Sequence, residues 1–198
     1  MDRTSTDPIS IKRVFLTFDD GPCHPYTSQV LDTLKTAGAR ATFFVCGRNV
    51  QLHPELAGRI VNEGHAIGNH TYSHSKARAF LGWWGNQVDR TTDIIREATG
   101  VETKLFRPPW GLLPPWLNHV MKAKGYRTFR WDIKANDWET PGAEVICRRV
   151  VERVKPGSVV LLHDGEKSLA DTNRSQTVLA LSGIISILSQ QGYQFDRL

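Results

Sequence analysis

The chain has 198 residues, enough for one sizeable core and few for two full domains, with 40% apolar and 23% charged residues. That profile excludes the low-complexity and disordered classes, and no run approaches the roughly eighteen uncharged apolar residues of a membrane-spanning helix. The net charge is +5, but the basic residues are scattered, with Arg148-Arg149 the densest pair, so no nucleic-acid partner is expected, only a weak preference for anionic polymers or surfaces.

Met1 to Ser10 contains no apolar segment of the kind that starts a secretion signal. The chain is therefore expected to work in the cytoplasm or after loss of a signal or anchor, with residues 1–12 as a tail and 13–198 as one folded domain. Val14 to Phe18 reads as an apolar, β-branched and aromatic strand that stops near the turn signal Gly21-Pro22. A helix over Thr27 to Ala37, a strand over Ala41 to Val45, a helix over Pro54 to Asn62 and a strand over His65 to Gly68 follow. Next come a helix over Gln87 to Ala98, a strand over Lys104 to Phe106, a helix over Leu113 to Lys124 and one strand over Arg127 to Ile133. A helix over Ala143 to Val154, a strand over Ser158 to Leu162, a helix over Ser175 to Gln190 and a strand over Tyr193 to Phe195 complete the pattern. Gly38, Gly64, Gly100 and Gly125 stand just past four of these helices as stop signals.

About seven alternations of strand and helix indicate a parallel α/β sheet. No GxGxxG follows the first strand, which favours a closed or nearly closed (β/α) barrel over an open dinucleotide-binding sheet. In either architecture ligand sites collect at the carboxyl ends of the strands. Asp19 and Asp20 end the first strand, His70 follows the third, Arg107 the fourth, Asp137 the fifth and His163 the sixth.

Two adjacent carboxylates raise one another's pKa unless a cation, a metal or strong hydrogen bonding compensates. His70 and His74 offer one solution. On a helical turn this spacing sets both imidazoles on one face, about 5–6 Å apart at Cβ, suited to sharing a metal. Alone, HxxxH is weak evidence, because two exposed or core-satisfied histidines often produce it. With one strand-end aspartate it makes a His2Asp set that leaves a position for water, while the other aspartate stays free to move protons. Arg107, in the rigid run Arg107-Pro-Pro-Trp-Gly111, can hold a carboxylate ionised or simply make a surface salt bridge. His163 ends an apolar strand where an aliphatic residue is more usual. It is suited to proton donation near neutrality, with Asp137 placed to orient it, or it is merely a cap.

Cys23, Cys46 and Cys147 show no paired zinc spacing, and an odd count cannot form a closed disulfide set. Free thiols are the default, with a Cys23–Cys46 bridge as the alternative, because both follow strands on one side of the sheet.

Taken in order, Thr17-Phe-Asp-Asp-Gly21, His70-Thr-Tyr-Ser-His74, Arg107-Pro-Pro-Trp-Gly111, Asp137-Trp138 and Leu161-Leu-His163 resemble the five motifs of the polysaccharide deacetylases, carbohydrate esterase family 4. The resemblance covers roughly residues 13 to 198 and implies a single-domain distorted (β/α)7 barrel. It further implies a metal-dependent hydrolase, monomeric, that removes N-acetyl groups from a glycan such as peptidoglycan or a chitin-like oligomer. By motif position Asp20, His70 and His74 would bind a divalent metal, most often zinc, with cobalt, nickel or manganese as alternatives. Asp19 would be the base held by Arg107, His163 the acid tuned by Asp137, and the Trp110 backbone N–H an oxyanion donor. Trp110 and Trp138 are candidate sugar-stacking residues, with Trp83 and Trp84 as further candidates.

Three positions depart from the family pattern. Trp110 stands where tyrosine is usual, Lys134 where the fourth motif often has its first Asp, and Phe80-Leu-Gly-Trp-Trp-Gly85 replaces a more polar loop. Two competing readings are an amidase or imidase acting on a small nitrogen compound and a catalytically silent glycan-binding protein.

Overall fold

β1 (Lys12–Asp19) is buried on both faces from Leu16 onward. Val14, Leu16 and Phe18 are fully buried in the main apolar cluster, and Thr17 and Asp19 face the other way. Phe18 stacks on Phe43 of β2 (Ala41–Val45), with centroids 5.0 Å apart. Each such side chain contributes about 1.5–3 kcal/mol of burial. The chain is described here by a computed structural model over residues 11–75, 84–165 and 173–198. Its remaining strands are β3 (Ala66–Asn69), β4 (Leu105–Phe106), β5 (Arg127–Thr128), β6 (Ile133–Lys134), β7 (Val159–His163) and β8 (Tyr193–Phe195).

The strands run parallel in the order β5-β4-β3-β2-β1-β7-β6, with β8 paired to the start of β1. Parallel neighbours need long crossovers, here mostly helical. The helices are α1 (Tyr26–Thr36), α2 (Gly47–Leu52), α3 (Pro54–Asn62), α4 (Trp84–Thr99), α5 (Pro115–Ala123), α6 (Ala143–Val151) and α7 (Ser175–Gln190). Inward side chains such as Val30, Leu34, Ile60, Ile95, Ile146 and Ile184 join those of β1, β2 and β7 in the same core. No helix among the described residues is long and apolar enough to cross a membrane.

The single strand expected over Arg127 to Ile133 is instead two short strands. Arg127–Thr128 pairs with β4, Ile133–Lys134 pairs with β7, and the residues between leave the sheet. The Phe129 N–H still reaches the Phe106 carbonyl (2.8 Å) and the Asp132 N–H the Val159 carbonyl (2.9 Å). One run thus spans both ends of the sheet, so the sheet curls into a half-barrel without closing into a regular one. Phe129, Arg130, Trp131, Trp110 and Val159 line an open groove of about 610 Å³ at this break.

Strand register sets the level of the polar residues. Asp19 pairs with Phe44 on one side and His163 on the other, Val45 with Asn69, and Asn69 with Phe106. His70 and Arg107, one residue beyond Asn69 and Phe106, therefore emerge with Asp19 and His163 at one edge. All three cysteines carry free thiols, so the Cys23–Cys46 bridge is not formed. Burial pushes the Cys23 thiol up to about 12 and Cys46 well above its ordinary value, which keeps both protonated.

Candidate active site

Arg107 is completely buried, not a surface ion pair. Its Nη1 donates to Asp19 Oδ1 (2.7 Å) and Thr17 Oγ1 (2.8 Å), and Nη2 to the Arg130 carbonyl (3.1 Å). The guanidinium lies 4.2 Å from the Phe44 ring centroid. Thr17 is on the same face of β1 as Asp19, and its hydroxyl in turn donates to the Val160 carbonyl (2.6 Å). Arg107 holds one carboxylate oxygen of Asp19, while the other, Oδ2, faces His70 Nε2 at 3.7 Å.

His70 and His74 do not share a helical turn, contrary to the sequence expectation. They sit on an irregular loop in which Thr71 (φ 67) and His74 (φ 48) adopt left-handed backbone, and their ring centroids are 5.0 Å apart. The loop is shaped by Asn69, whose Oδ1 accepts the Thr71 N–H (2.9 Å). His70 Nδ1 faces the Arg107 carbonyl at 2.7 Å. A carbonyl only accepts, so Nδ1 carries the proton and Nε2 presents its lone pair. Burial lowers the His70 pKa despite neighbouring Asp19 and Asp20, favouring the neutral ring.

Asp20 Oδ1 lies 3.5 Å from both His70 Nε2 and His74 Nε2, and one ligand atom from each of the three side chains falls within 4.8 Å of the others. Bonds of 2.0–2.1 Å in a tetrahedral site put ligand atoms about 3.3–3.4 Å apart. The donor set and its spacing therefore fit a divalent ion. Asp20 is itself poorly placed as a lone carboxylate. Burial raises its pKa, with Asp19 adding to the rise and His70 and His163 opposing it. Its backbone is left-handed (φ 72) and is pinned by Asn49 Nδ2, which donates to the Asp20 carbonyl at 2.6 Å.

Across the cavity, Asp137 accepts from His163 Nδ1 (2.8 Å), the His163 backbone N–H (2.8 Å) and Thr177 Oγ1 (2.9 Å). Burial works against charge on both residues. The Asp137 carboxylate and its hydrogen bond, helped by Asp20 and Asp19, nevertheless raise His163 to about 9, while Asp137 is held below its ordinary value. Asp137 reaches this position because Asn136 (φ 53) turns the chain sharply after β6.

These groups open into one cavity of about 370 Å³, also lined by Trp110, Trp131, Lys134, Trp138, Leu161 and Arg174. Trp110 (φ 56) packs edge-on against His74 at 4.3 Å, and Trp138 against His163 at 5.2 Å. Lys134 Nζ sits 4.6 Å from the Trp138 ring centroid, so the residue that departs from the family motif is part of the wall. Trp83 and the side chain of Trp84 lie outside the described residues. Asp19, Asp20, His70, His74, Trp110, Trp138 and His163 thus line one cavity, and Arg107 and Asp137 join it through their bonds to Asp19 and His163. Asn49 and Trp131 were missed as contributors. Asn49 lies on α2, too short for its periodicity to register, and Trp131 falls in a run that reads as plain strand.

The sequence profile of the polysaccharide deacetylases matches residues 6–129. A peptidoglycan-N-acetylglucosamine deacetylase of Bacillus cereus is 41% identical over 95% of this chain and 87% of its own length. A chitooligosaccharide deacetylase of a Bradyrhizobium species is 36% identical over 99% of this chain and 93% of its own. The crystal structure of the Bc1960 peptidoglycan N-acetylglucosamine deacetylase superposes with a TM-score of 0.89 at 34% identity, covering 96% of this chain and 88% of that one. On sequence and fold together, the chain belongs to the polysaccharide deacetylase family.

Proposed function

We propose that this protein is a metal-dependent hydrolase that removes N-acetyl groups from N-acetylglucosamine-containing glycan, peptidoglycan or a chitin-like oligomer. The observation that carries this reading is the convergence of Asp20, His70 and His74 beside an Arg107-held Asp19, with the His163–Asp137 pair lining the same cavity. Relatives named for deacetylation of both glycans support the substrate class.

Asp20 Oδ1, His70 Nε2 and His74 Nε2 would hold the ion. A divalent ion there would polarise the acetyl carbonyl and lower the pKa of the attacking water towards about 7. Asp19 is the base and takes the water's proton on Oδ2, because Oδ1 is occupied by Arg107. The Trp110 N–H donates to the developing oxyanion. His163, charged through its bond to Asp137, gives its Nε2 proton to the departing amine. Trp110 and Trp138 form apolar walls for the sugar ring.

The test is acetate release from peptidoglycan and chitooligosaccharide by metal-stripped protein with zinc, cobalt, nickel or manganese restored singly. Release from one glycan on addition of at least one ion is expected. No release from either, with every ion supplied, would overturn the proposal.

A further inference from the structure

We propose that His24, His53 and Glu55 form a second transition-metal site, which shares no residue with the Asp20-His70-His74 cluster. One ligand atom from each lies within 4.8 Å of the other two. Glu55 Oε1 is the common corner, 3.2 Å from His24 Nε2 and 3.7 Å from His53 Nδ1. These spacings bracket the edge of about 3.3–3.4 Å expected for bonds of 2.0–2.1 Å around a tetrahedral ion. The two rings meet edge to face, with centroids 5.3 Å apart.

Three features prepare the set. Each histidine precedes a proline, Pro25 or Pro54, which restricts its backbone, and the His53 N–H is bonded to the Asn49 carbonyl at the joint between α2 and α3. His24 Nδ1 lies 3.2 Å from Ser28 Oγ, in the first turn of α1, an outer contact that orients the ring and directs Nε2 towards Glu55. Arg59, one turn beyond Glu55, is the basic side chain best placed to compete for that carboxylate. It is engaged by Asp32 (2.5 Å) and Glu63 (2.6 Å) instead.

Two imidazoles and one carboxylate select a borderline ion such as zinc, cobalt or nickel over calcium or magnesium. The side chains of His24 and Glu55 are more than half exposed, which leaves the remaining coordination positions to water. A bound ion ties the segment running from Asp20 into α1 to the start of α3. The site would thus act as a structural clip near the cavity without entering it.

The experiment is calorimetric titration of tag-free, metal-stripped full-length protein with zinc, repeated with cobalt to follow visible absorption. The wild type should bind two equivalents, the exposed site more weakly. His24→Ala and Glu55→Gln, at exposed side chains, and His53→Ala, at a half-buried one, should each remove the weaker equivalent and leave the tighter one and acetate release unchanged. Ser28→Ala should weaken it about 10–100-fold. His74→Ala should remove the tighter equivalent and spare the weaker, so failure of the catalytic metal reading and failure of this one are distinguishable. A single equivalent in the wild type that His74→Ala abolishes, or a second equivalent that survives all three substitutions at His24, His53 and Glu55, would overturn the proposal.

Discussion

Asp137→Asn keeps the shape of the His163 partner and removes its charge. In the wild type, burial disfavours the imidazolium, and the Asp137 carboxylate outweighs it, bringing the pKa to about 9. With the carboxylate gone the burial remains and is opposed only by Asp20 and Asp19, so the His163 pKa should fall from about 9 towards or below its ordinary 6.5, each unit of fall being worth about 1.36 kcal/mol. At pH 8 a group titrating at about 9 is about 90% charged, and one titrating at 6.5 is about 3% charged. The amide adds a tautomer effect. If its oxygen keeps the His163 and Thr177 bonds now made to Oδ2, its NH2 faces His163 Nδ1 and favours the neutral ring. Acetate release at pH 8 should therefore fall about 10²–10⁴-fold, less at lower pH where the ring recharges. Stability should follow with a defined sign. The raised folded pKa of wild-type His163 gives stability that is fully present below pH 6.5 and lost as pH rises through about 9. In the variant that decline should vanish. NMR titration of the His163 ring and urea unfolding between pH 6 and 9.5 measure both effects. A His163 pKa still near 9 in the variant would refute the reasoning.

Asp19→Asn should abolish acetate release, a loss of about 10²–10⁴-fold or more, while zinc binding measured by calorimetry persists, because the ligands proposed are Asp20, His70 and His74. Arg107→Met should strand the buried Asp19 carboxylate. A loss of about 3–5 kcal/mol is expected in urea unfolding near pH 7. Gly165→Ala would set a Cβ 2.5 Å from the Asp20 backbone oxygen, so it should displace Asp20 and weaken zinc affinity in the same titration. Gly38→Ala, with nothing within 4 Å of the added carbon, should leave zinc affinity alone and cost only the strain of its left-handed turn, about 1 kcal/mol in urea unfolding.

Most of the fold was legible in the sequence. The strand Ala41–Val45, a short apolar run buried throughout, and the helices Pro54–Asn62 and Ser175–Gln190, each with one buried stripe, fall where the sequence puts them, because run length and periodicity are local properties. The meeting of the candidate residues was legible too, since parallel strands deliver their carboxyl ends to one edge whatever the details of packing. Helix α2 was missed, being barely two turns long and without its own terminator glycine.

By itself, then, the sequence determined which side chains converge, through strand periodicity and the polarity of a parallel sheet. Only the tertiary structure decided how they are held. The burial of Arg107 against Phe44, the non-helical loop that aims His70 and His74 at Asp20, and the grip of Asn49 on the Asp20 carbonyl all join segments distant in the chain. So does the division of the Arg127–Ile133 run between β4 and β7. Periodicity reports which face of an element is buried. It carries no record of the partner across the gap, and each of these contacts depends on that partner.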